Sequence, residues 1–405
     1  MLGWLLRKII ASGTLTVIGP EGFSQTYGDG GEPAVAIRIH SDATIRHLVR
    51  DPAMAAGEAY MDGLLTIEAG KLQDFMFICA CAIERLDALP LFAARRTLLR
   101  PLHLAQRFNS RRRSIANVAH HYDLSGQLYD LFLDADRQYS CAYFENGDET
   151  LEQAQAKKKN HNAAKLCLKP GKKVLDIGSG WGGLALTLAK LHPGIEVTGL
   201  TLSQEQLGVA RDRAAAAGLQ NRVRFELRDY RDEPGSYDRI VSVGMLEHVG
   251  LGGLQSYFNT VQRLLKSDGV ALLHAIGIKG QPGEPNSWLR KYIFPGSYCP
   301  SLSQVLPTIE KAGLWTTDIE ILRLHYAKTL DAWANRFAAN RYAVEALYDS
   351  RFCRMWEFYL RGCEGGFRYG PMMVFQIQLA RTRDAVPLTR DYMNAPAGQT
   401  APERV

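Results

Sequence analysis

The sequence lacks a long uninterrupted hydrophobic run. The longest run, Phe75 to Ile83, has nine residues and ends at Glu84. A helix that crosses a bilayer needs roughly 20 consecutive apolar residues, so a spanning segment is excluded and any membrane contact is expected to be peripheral. The apolar N-terminus is interrupted by Arg7 and Lys8 without a convincing cleavage site behind it, so we expect no secretory signal.

Paired cysteines are also absent. The seven cysteines are scattered, no two have Cys-x-x-Cys spacing, and none lies at zinc-ligand spacing from a histidine. This pattern predicts reduced thiols in a cytoplasmic protein and no metal site. The chain has no internal repeat and no low-complexity tract, which excludes repeat architectures.

The positive charge is unevenly distributed. The 405 residues carry a net charge of +6, and eight arginines lie between positions 85 and 113, accompanied only by Glu84 and Asp87. Such a cluster can meet nucleic acid, an anionic membrane surface, or only solvent. A length of 405 residues is enough for two domains or for one large domain with a smaller partner, and the hydrophobic fraction of 46% is ordinary for a globular protein.

Two patterns of secondary structure divide the chain. Short strands at 15–18 and 35–39, followed by helical patterns at 44–61 and 71–86, predict a small α+β N-terminal domain. From about residue 165, strands and helices alternate, which predicts an α/β Rossmann-like parallel sheet with helices on both faces. The predicted strands of this sheet are 173–177, 195–200, 223–227, 237–243 and 269–276. A helical region at 331–361 and a final edge strand at 372–379 complete the prediction.

These patterns also predict the domain boundaries. They are 1–90 for the N-terminal domain, 91–115 for a basic linker helix, 116–382 for the larger domain and 383–405 for a poorly ordered tail.

A glycine-rich segment, Asp176-x-Gly178-x-Gly180-x-Gly182, follows the first predicted strand of the sheet. Glycines at a strand-to-helix turn let a ligand approach the backbone closely. The acid precedes the glycines, where it can pair with a cationic amino-acid end, and the spacing differs from the G-x-G-x-x-G of dinucleotide sites. The motif therefore favours S-adenosylmethionine, while a tight turn without a ligand is the alternative.

The second predicted strand ends without the carboxylate that often binds ribose hydroxyls. We expect neutral groups such as Thr201 or Gln206 to hold the ribose instead. Ser203 is predicted to cap the next helix, with Gln206 in the capping-box position. Asp229 and Tyr230 follow the third strand, where they can frame an adenine or form a plain turn.

Four further polar residues are candidates for chemistry, because a parallel sheet presents its active site beyond the carboxyl ends of its strands. They are Cys141, Glu247, His274 and Tyr326. Each has a simpler alternative. A strand-end histidine is often a hydrogen-bonded core residue, a single cysteine is often a small buried hydrophobe, and Glu247 could pair with His248 or a helix end.

Several sequence blocks occur in order between about residues 115 and 380. They are His120-His-Tyr-Asp-Leu-Ser125, Tyr139-Ser-Cys-Ala-Tyr-Phe144, the glycine motif with Trp181, Glu247-His-Val-Gly250, Leu273-His-Ala-Ile-Gly277, Lys291-Tyr-Ile-Phe-Pro-Gly296 and Leu324-His-Tyr-Ala-Lys-Thr-Leu-Asp-Ala-Trp333. Together these blocks resemble the cyclopropane-fatty-acyl-phospholipid synthase family of S-adenosylmethionine-dependent methyltransferases. Residues 1–90 resemble the extra N-terminal, lipid-binding domain of its phospholipid-acting members.

The resemblance implies a class I methyltransferase fold and a two-step reaction that gives cyclopropane fatty acids. The alkene of an acyl chain attacks the sulfonium methyl group, and a base then removes a proton from the new methyl as the ring closes. Water must be excluded because it would trap the intermediate cation. The resemblance implies a bound bicarbonate ion as the base.

The resemblance also assigns residues to these roles. The bicarbonate site would comprise Cys141, Glu247, His274, Tyr326 and the backbone at Ile276. Cys363 matches another cysteine suspected of a role in the family, but alkene methylenation offers a thiolate no task, so we interpret it as a packing residue. The implied cofactor contacts, beside Asp176 of the motif, are Tyr139, Ser140, Gly178, Gly180, Gly182, Thr201, Gln206, Asp229 and Tyr230.

The implied partners are an unsaturated phospholipid and an anionic membrane surface, met peripherally at the inner face of the membrane by a cytoplasmic protein. A homodimer is left open, and no nucleic-acid partner is expected. Three alternatives remain at this point. They are synthesis of methylene- or methyl-branched chains, a lipid-binding protein without catalysis, and a nucleic-acid methyltransferase, which the arginine cluster suggests but for which no base-flipping motif is present.

Overall fold

The computed structural model describes residues 1–90, 125–280 and 286–394. The chain divides into two compact units, each built from separate stretches of sequence. Unit 1 comprises residues 1–106, 283–295 and 327–372, and unit 2 comprises 107–282, 296–326 and 373–405. The predicted domain 116–382 is therefore not one unit, because two of its segments cluster with the N-terminal residues. The predicted linker helix 91–115, seven of the eight clustered arginines and nearly all of the block 120–125 lie outside the described residues.

The elements are numbered along the chain. The first eight are α1 (Leu2–Ile9), β1 (Thr14–Ile18), β2 (Ser24–Gly28), β3 (Ala34–Ile39), α2 (Asp42–Arg50), α3 (Pro52–Met61), β4 (Leu65–Ala69) and α4 (Leu72–Ala88). Next come α5 (Gly126–Phe132), α6 (Leu151–Lys165), β5 (Lys173–Ile177), α7 (Gly183–Leu191), β6 (Glu196–Thr201), α8 (Gln204–Ala216), β7 (Val223–Leu227), β8 (Tyr237–Val243), α9 (Leu254–Leu264) and β9 (Leu265–Ile278). The last are α10 (Ser287–Tyr292), α11 (Leu302–Lys311), β10 (Trp315–Ile321), α12 (His325–Ala339), α13 (Arg341–Leu347), α14 (Ser350–Arg368) and β11 (Met372–Ala380).

Unit 1 contains a four-stranded sheet in the order β2-β1-β3-β4. Alternate side chains of β1 and β3 are buried, which is the pattern of a sheet with one face packed on helices. The region 44–61, predicted as a single helical pattern, is two helices. Asp51 ends α2 and caps α3, and Pro52 occupies the first position of α3, where its missing N–H has no partner to lose.

Unit 2 contains a seven-stranded sheet in the order β10-β11-β9-β8-β5-β6-β7. Strands β5 to β9 pair in parallel, and the chain runs outward from β5 to β7 before it returns to β8 on the other side of β5. Apolar side chains of α6, α7 and α8 pack in one core cluster of this sheet, and those of α9 and α11 pack in another. This is the α/β sheet covered by helices that the sequence predicts. The reversal of strand order at β5 and β8 creates a crevice at their carboxyl ends, which is where such sheets bind ligands.

Two predictions about the C-terminal part differ from the structure. Strand β11 was predicted as an edge strand, but it lies between β9 and β10, and β10 forms the edge by antiparallel pairing with it. The near-continuous burial of β11 is typical of an interior strand. The predicted poor order of 383–405 does not extend to 383–394, because Tyr392 is buried and its hydroxyl donates to Gln378 Oε1 at 2.9 Å.

Candidate active site

The glycine turn after β5 is held by backbone conformation and by the neighbouring strand. Gly178, Gly180 and Gly182 have φ angles of +81°, +52° and +83°, a region that side chains disfavour. The amides of Gly178 and Ser179 donate to the carbonyl oxygen of Leu200 at 3.0 and 2.8 Å, which joins the turn to the end of β6. A Cβ atom at Gly180 would meet no protein atom within 4 Å, so this part of the turn faces open space that a ligand can use.

A cavity in unit 2 is lined by the segments that follow β5, β6 and β8. Nine of the ten predicted cofactor residues line it, namely Tyr139, Ser140, Asp176, Gly178, Gly180, Thr201, Gln206, Asp229 and Tyr230. Gly182 does not line the cavity. A Cβ atom at this position would lie 2.7 Å from the ring of Phe225, so this glycine allows close packing at the start of α7. Lining residues that the sequence analysis did not identify include Lys158, Met245 and His248.

The start of α8 orders the part of the cavity predicted to hold the ribose. Ser203 Oγ accepts from the Gln206 amide at 3.3 Å, so Ser203 caps the helix as predicted. The capping box is incomplete, because Gln206 Oε1 accepts from Thr201 Oγ1 at 2.8 Å and the Ser203 amide donates to that same threonine oxygen at 3.1 Å. Thr201 and Gln206 therefore orient each other at the cavity wall.

Asp229 and Tyr230 combine a turn with a wall of the cavity. The Asp229 carboxylate accepts from Arg231 Nε at 2.8 Å and from its backbone amide at 3.0 Å, which closes a 3₁₀ turn. The Arg231 guanidinium carbon lies 5.5 Å from the centre of the Tyr230 ring. Burial raises the pKa of Tyr230 to about 12, so its hydroxyl stays neutral. The predicted turn is present, and both residues also line the cavity.

The Tyr139–Ser140 segment is positioned by α6. Lys158 Nζ donates to Gln138 Oε1 at 2.6 Å and to Ser140 Oγ at 2.8 Å, and Gln155 Nε2 donates to the Ser140 carbonyl oxygen at 2.9 Å. Lys158 is only 1% exposed. Burial lowers its pKa to about 8, against the attraction of Asp134. Lys158 is the middle residue of three consecutive lysines, a pattern that is typical of a solvent-exposed surface.

Asp176 is a buried carboxyl group inside this cavity. It is 2% exposed, and its Oδ2 atom has no hydrogen-bond partner among the described residues. Burial raises its pKa to about 7, although the charge of Lys158 acts in the opposite direction. A cationic ligand group would restore the ionised form.

Glu247 lies in the 3₁₀ turn after β8 and is 5% exposed. Its Oε1 atom accepts from the Ile276 amide at 2.5 Å, whereas Oε2 is buried without a hydrogen-bond partner among the described residues. Burial raises the pKa of Glu247 to about 7 despite that bond. Near neutral pH its carboxyl group can therefore donate as well as accept. The resemblance assigns the backbone at Ile276 to bicarbonate, and the amide of this residue is bonded to Glu247.

His274 lies within β9, paired with Val243 at the end of β8. Its Nδ1 atom is 3.1 Å from Gln376 Nε2, which also donates to Asn162 Oδ1 at 2.9 Å. With the Gln376 amide nitrogen donating to Nδ1, the imidazole proton resides on Nε2. Burial, followed by the charge of Lys158, lowers the pKa of His274 to about 3, so the ring is neutral. No sequence signal identified Gln376, because it lies 102 residues after His274 in the chain.

Cys141 and Tyr326 are both buried in unit 2. The Cys141 thiol donates to the Ala142 carbonyl oxygen at 3.3 Å, and Lys158 interacts electrostatically with both Cys141 and His274. The Phe144 amide donates to Nδ1 of His325, the residue before Tyr326, at 2.9 Å. The structure thus joins Glu247 to Ile276 directly and ties the segment after Cys141 to the start of α12.

Comparison with known proteins identifies the family of this chain. The family model for mycolic acid cyclopropane synthetase matches residues 109–377. A family model for a domain of unknown function matches residues 5–81. The chain belongs to the mycolic acid cyclopropane synthetase family.

Individual proteins that are similar to this chain support the same family assignment. A cyclopropane-fatty-acyl-phospholipid synthase of Escherichia coli (strain K12) is 37% identical over 360 residues, or 87% of this chain and 89% of that one. A probable fatty acid methyltransferase of Pseudomonas putida is 36% identical over 359 residues, or 86% and 87% of the two chains. The crystal structure of mycolic acid cyclopropane synthase CmaA1, complexed with SAH and CTAB, has a TM-score of 0.62 at 36% identity and covers 65% of this chain and 97% of its own.

These findings confirm the predicted family resemblance, the class I methyltransferase fold and the cofactor class. This member of the synthetase family is an S-adenosylmethionine-dependent methyltransferase. The individual site residues remain proposals, which the geometry supports to different degrees.

Cys363 has a different environment from the other site candidates of this synthetase-family chain. It lies in α14 of unit 1, among apolar residues that line a cavity with Phe75 and Met76. Burial raises the pKa of Cys363 to about 12, so its thiol stays protonated. These surroundings are those of a packing residue.

The described ranges 1–90, 125–280 and 286–394 contain neither a candidate metal site nor a helix that could span a membrane. No group of three or more His, Cys, Asp or Glu side chains in these ranges could hold a metal ion. Within the same ranges, no helix has the length and apolar character needed to cross a bilayer.

Proposed function

We propose that this methyltransferase transfers a methylene carbon from S-adenosylmethionine to the cis double bond of unsaturated acyl chains in membrane phospholipid, giving cyclopropane fatty acids. The observation that carries the proposal is the burial of Glu247, in the turn after β8, and of His274, which lies within β9 beside the last residue of β8. Met245 and His248, which flank the Glu247 turn, line that cavity. The Escherichia coli relative is a cyclopropane-fatty-acyl-phospholipid synthase, which supports phospholipid as the substrate class.

The cavity residues fit S-adenosylmethionine, which supplies an electrophilic methyl group when bound. The unpartnered Asp176 carboxyl group is suited to the ligand's ammonium group, and the open face of Gly180 leaves room for close approach. Thr201 and Gln206 offer neutral groups to the ribose, and Tyr230 offers a flat apolar wall.

We propose a second site for a small anion, where bound bicarbonate would serve as the base for the proton lost from the new methyl group. We assign its contacts to Glu247, His274, Cys141 and Tyr326. Lys158 and Lys165 act electrostatically on His274, with Glu320 acting in the opposite direction, and the charge of Lys158 would favour a bound anion. A protonated Glu247 can donate to an anion, whereas an ionised one would repel it. The Ile276 amide contributes through its bond to Glu247.

Burial of these groups also protects the chemistry. A carbocation on an acyl chain is trapped by any accessible water or strong nucleophile. Glu247 and His274 are 5% and 3% exposed, and His274 engages Gln376 through Nδ1. The cluster therefore offers polar groups for a base without opening the site to bulk water.

The test is analysis of the lipid product. The protein is incubated with S-adenosylmethionine and vesicles of an unsaturated phospholipid, and the released acyl chains are analysed by mass spectrometry before and after catalytic hydrogenation. A gain of one CH2 that resists mild hydrogenation supports the cyclopropane. A product that takes up hydrogen supports a methylene-branched chain, which the sequence analysis left open as an alternative. No modified chain, despite bound cofactor, would contradict the enzymatic proposal.

We further propose that α1 and the arginine segment 95–113 bring the protein to the inner face of an anionic membrane. In α1, Leu5 and Ile9 are buried while Trp4 is 57% exposed, and Arg7 and Lys8 occupy the last turn. Each basic residue near an anionic surface contributes about 1 kcal/mol, and salt screens this attraction.

Vesicle sedimentation should therefore show binding that weakens as salt rises. Replacing Arg7 and Lys8 together with glutamine should weaken binding to anionic vesicles, whereas Arg224→Gln in β7 serves as the control for loss of charge elsewhere. Equal binding to neutral and anionic vesicles would exclude the electrostatic part of this proposal.

A further inference from the structure

Lys158 differs from the other lysines of its helix. Helix α6 contains four lysines, and three of them pair with a carboxylate. Lys157 pairs with Glu145 and Glu149, Lys159 with Asp136, and Lys165 with Glu320. Lys158 and Lys165 are the two buried lysines of this helix. The Nζ atom of Lys158 nevertheless donates only to the neutral oxygens of Gln138 and Ser140. No described carboxylate lies within 4 Å of this atom.

Asp176 shows the complementary deficit in the same cavity. Its carboxyl group is 2% exposed, and Oδ2 lacks a hydrogen-bond partner among the described residues. The two groups are close enough to interact electrostatically, but they form no ion pair. A buried ionisable group without an oppositely charged partner is costly, so a cavity that holds two such groups of opposite sign is suited to a ligand that carries both charges.

We propose that Lys158 recognises the α-carboxylate of S-adenosylmethionine, at the same end of the ligand whose α-ammonium group the proposed function already assigns to Asp176. The assignment rests on the proposed cofactor cavity and adds Lys158 as a determinant of cofactor specificity. An ammonium group has three donors, and Lys158 uses two of them on Gln138 and Ser140. These bonds hold Nζ in place, and the remaining donor is available to the ligand.

Ligands that lack one charge at a time test this proposal without any substitution. S-adenosylhomocysteine carries both charges, its decarboxylated analogue keeps only the ammonium group, and 5′-methylthioadenosine has neither. Calorimetry on the wild-type protein should show the decarboxylated analogue binding roughly tenfold to a hundredfold more weakly than S-adenosylhomocysteine, because a charge-assisted hydrogen bond is lost. Equal affinities would overturn the role of Lys158.

Variants then assign each charge to a residue. Lys158→Met should weaken S-adenosylhomocysteine by a similar factor while leaving the decarboxylated analogue and methylthioadenosine nearly unchanged. Asp176→Asn should weaken both ammonium-bearing ligands and spare methylthioadenosine. Lys157→Met, which removes the adjacent lysine outside the cavity, is the matched control and should bind all three ligands like the wild type.

The outcomes separate this inference from the proposed function. If the wild-type protein binds none of the three ligands, the cofactor cavity itself is misassigned. If Lys158→Met weakens all three ligands equally, Lys158 merely positions Ser140, and if it weakens none, the carboxylate is bound elsewhere. Either result overturns the proposal. An unchanged affinity of Lys158→Met for methylthioadenosine shows that this variant is folded. If Lys158→Met does not fold, Lys158→Gln is used in the same measurements.

Discussion

Replacing Glu247 with glutamine is expected to reduce turnover by about a hundredfold or more while leaving S-adenosylhomocysteine affinity nearly intact. The amide oxygen of glutamine can still accept from the Ile276 amide, so the turn after β8 should persist. The variant loses the carboxyl group whose pKa of about 7 lets it exchange a proton near neutral pH. Turnover of unsaturated phospholipid and calorimetry with S-adenosylhomocysteine provide the two readouts.

The other cluster residues should behave as parts of the same unit. His274→Gln and Tyr326→Phe should also reduce turnover strongly, and combining either with Glu247→Gln should have a less than additive effect, because loss of one contact already loosens the anion. Cys141→Ser should be milder, since a hydroxyl can still donate, and Cys363→Ala milder again. Glu226→Gln, which removes a carboxylate from β7, is the control and should be fully active.

The anion itself can be varied in the same assay. Turnover should fall in carbonate-depleted buffer and recover when bicarbonate is added back. If turnover ignores bicarbonate, and Cys141→Ser is as inactive as Glu247→Gln, then the anion model is wrong and a direct role for the thiol must be considered.

Asp176→Asn is expected to weaken cofactor binding and yet stabilise the unliganded protein at pH 8. Asparagine cannot supply the negative charge for the ligand's ammonium group, so S-adenosylhomocysteine affinity should fall by roughly tenfold to a hundredfold. The stability effect follows from burial, which raises the pKa of Asp176 from 3.8 to about 7.

The sign of the stability effect is set by proton binding. Between pH 4 and pH 7 the folded protein keeps a proton on Asp176 that the unfolded chain has released, so the free energy of unfolding falls as pH rises through this window. Asparagine does not ionise and escapes that loss, which amounts to at most about 4 kcal/mol. Denaturant unfolding at pH 4 and pH 8 checks the prediction. The variant should exceed the wild type only at pH 8, and a variant less stable at both would show that Asp176 is structurally required.

The local sequence was sufficient to predict features that depend on neighbouring residues in the chain. The strand before Asp176 and the glycines after it are set by continuous burial and by backbone conformations that glycine favours, so the motif, its turn and the cofactor class could all be predicted. The parallel sheet followed from the alternation of strands and helices. Glu247 was identifiable because it follows the carboxyl end of a parallel strand. His274 was predicted to end the next strand, and although β9 continues to Ile278, this residue pairs with the last residue of β8.

Tertiary structure decided the features that depend on distant partners. Three consecutive lysines each point about 100° apart around a helix, so only the packing of α6 determines that Lys158 is buried while Lys157 is not. Gln376 meets His274 across more than a hundred residues of chain, and β10 takes the sheet edge that the sequence assigned to β11. Glycine spacing shows where a turn forms, but not whether each glycine faces a ligand, as Gly180 does, or a packed ring, as Gly182 does. Burial and pairing over long range are collective properties of the folded chain, and these set the charge and partners of every group in the site.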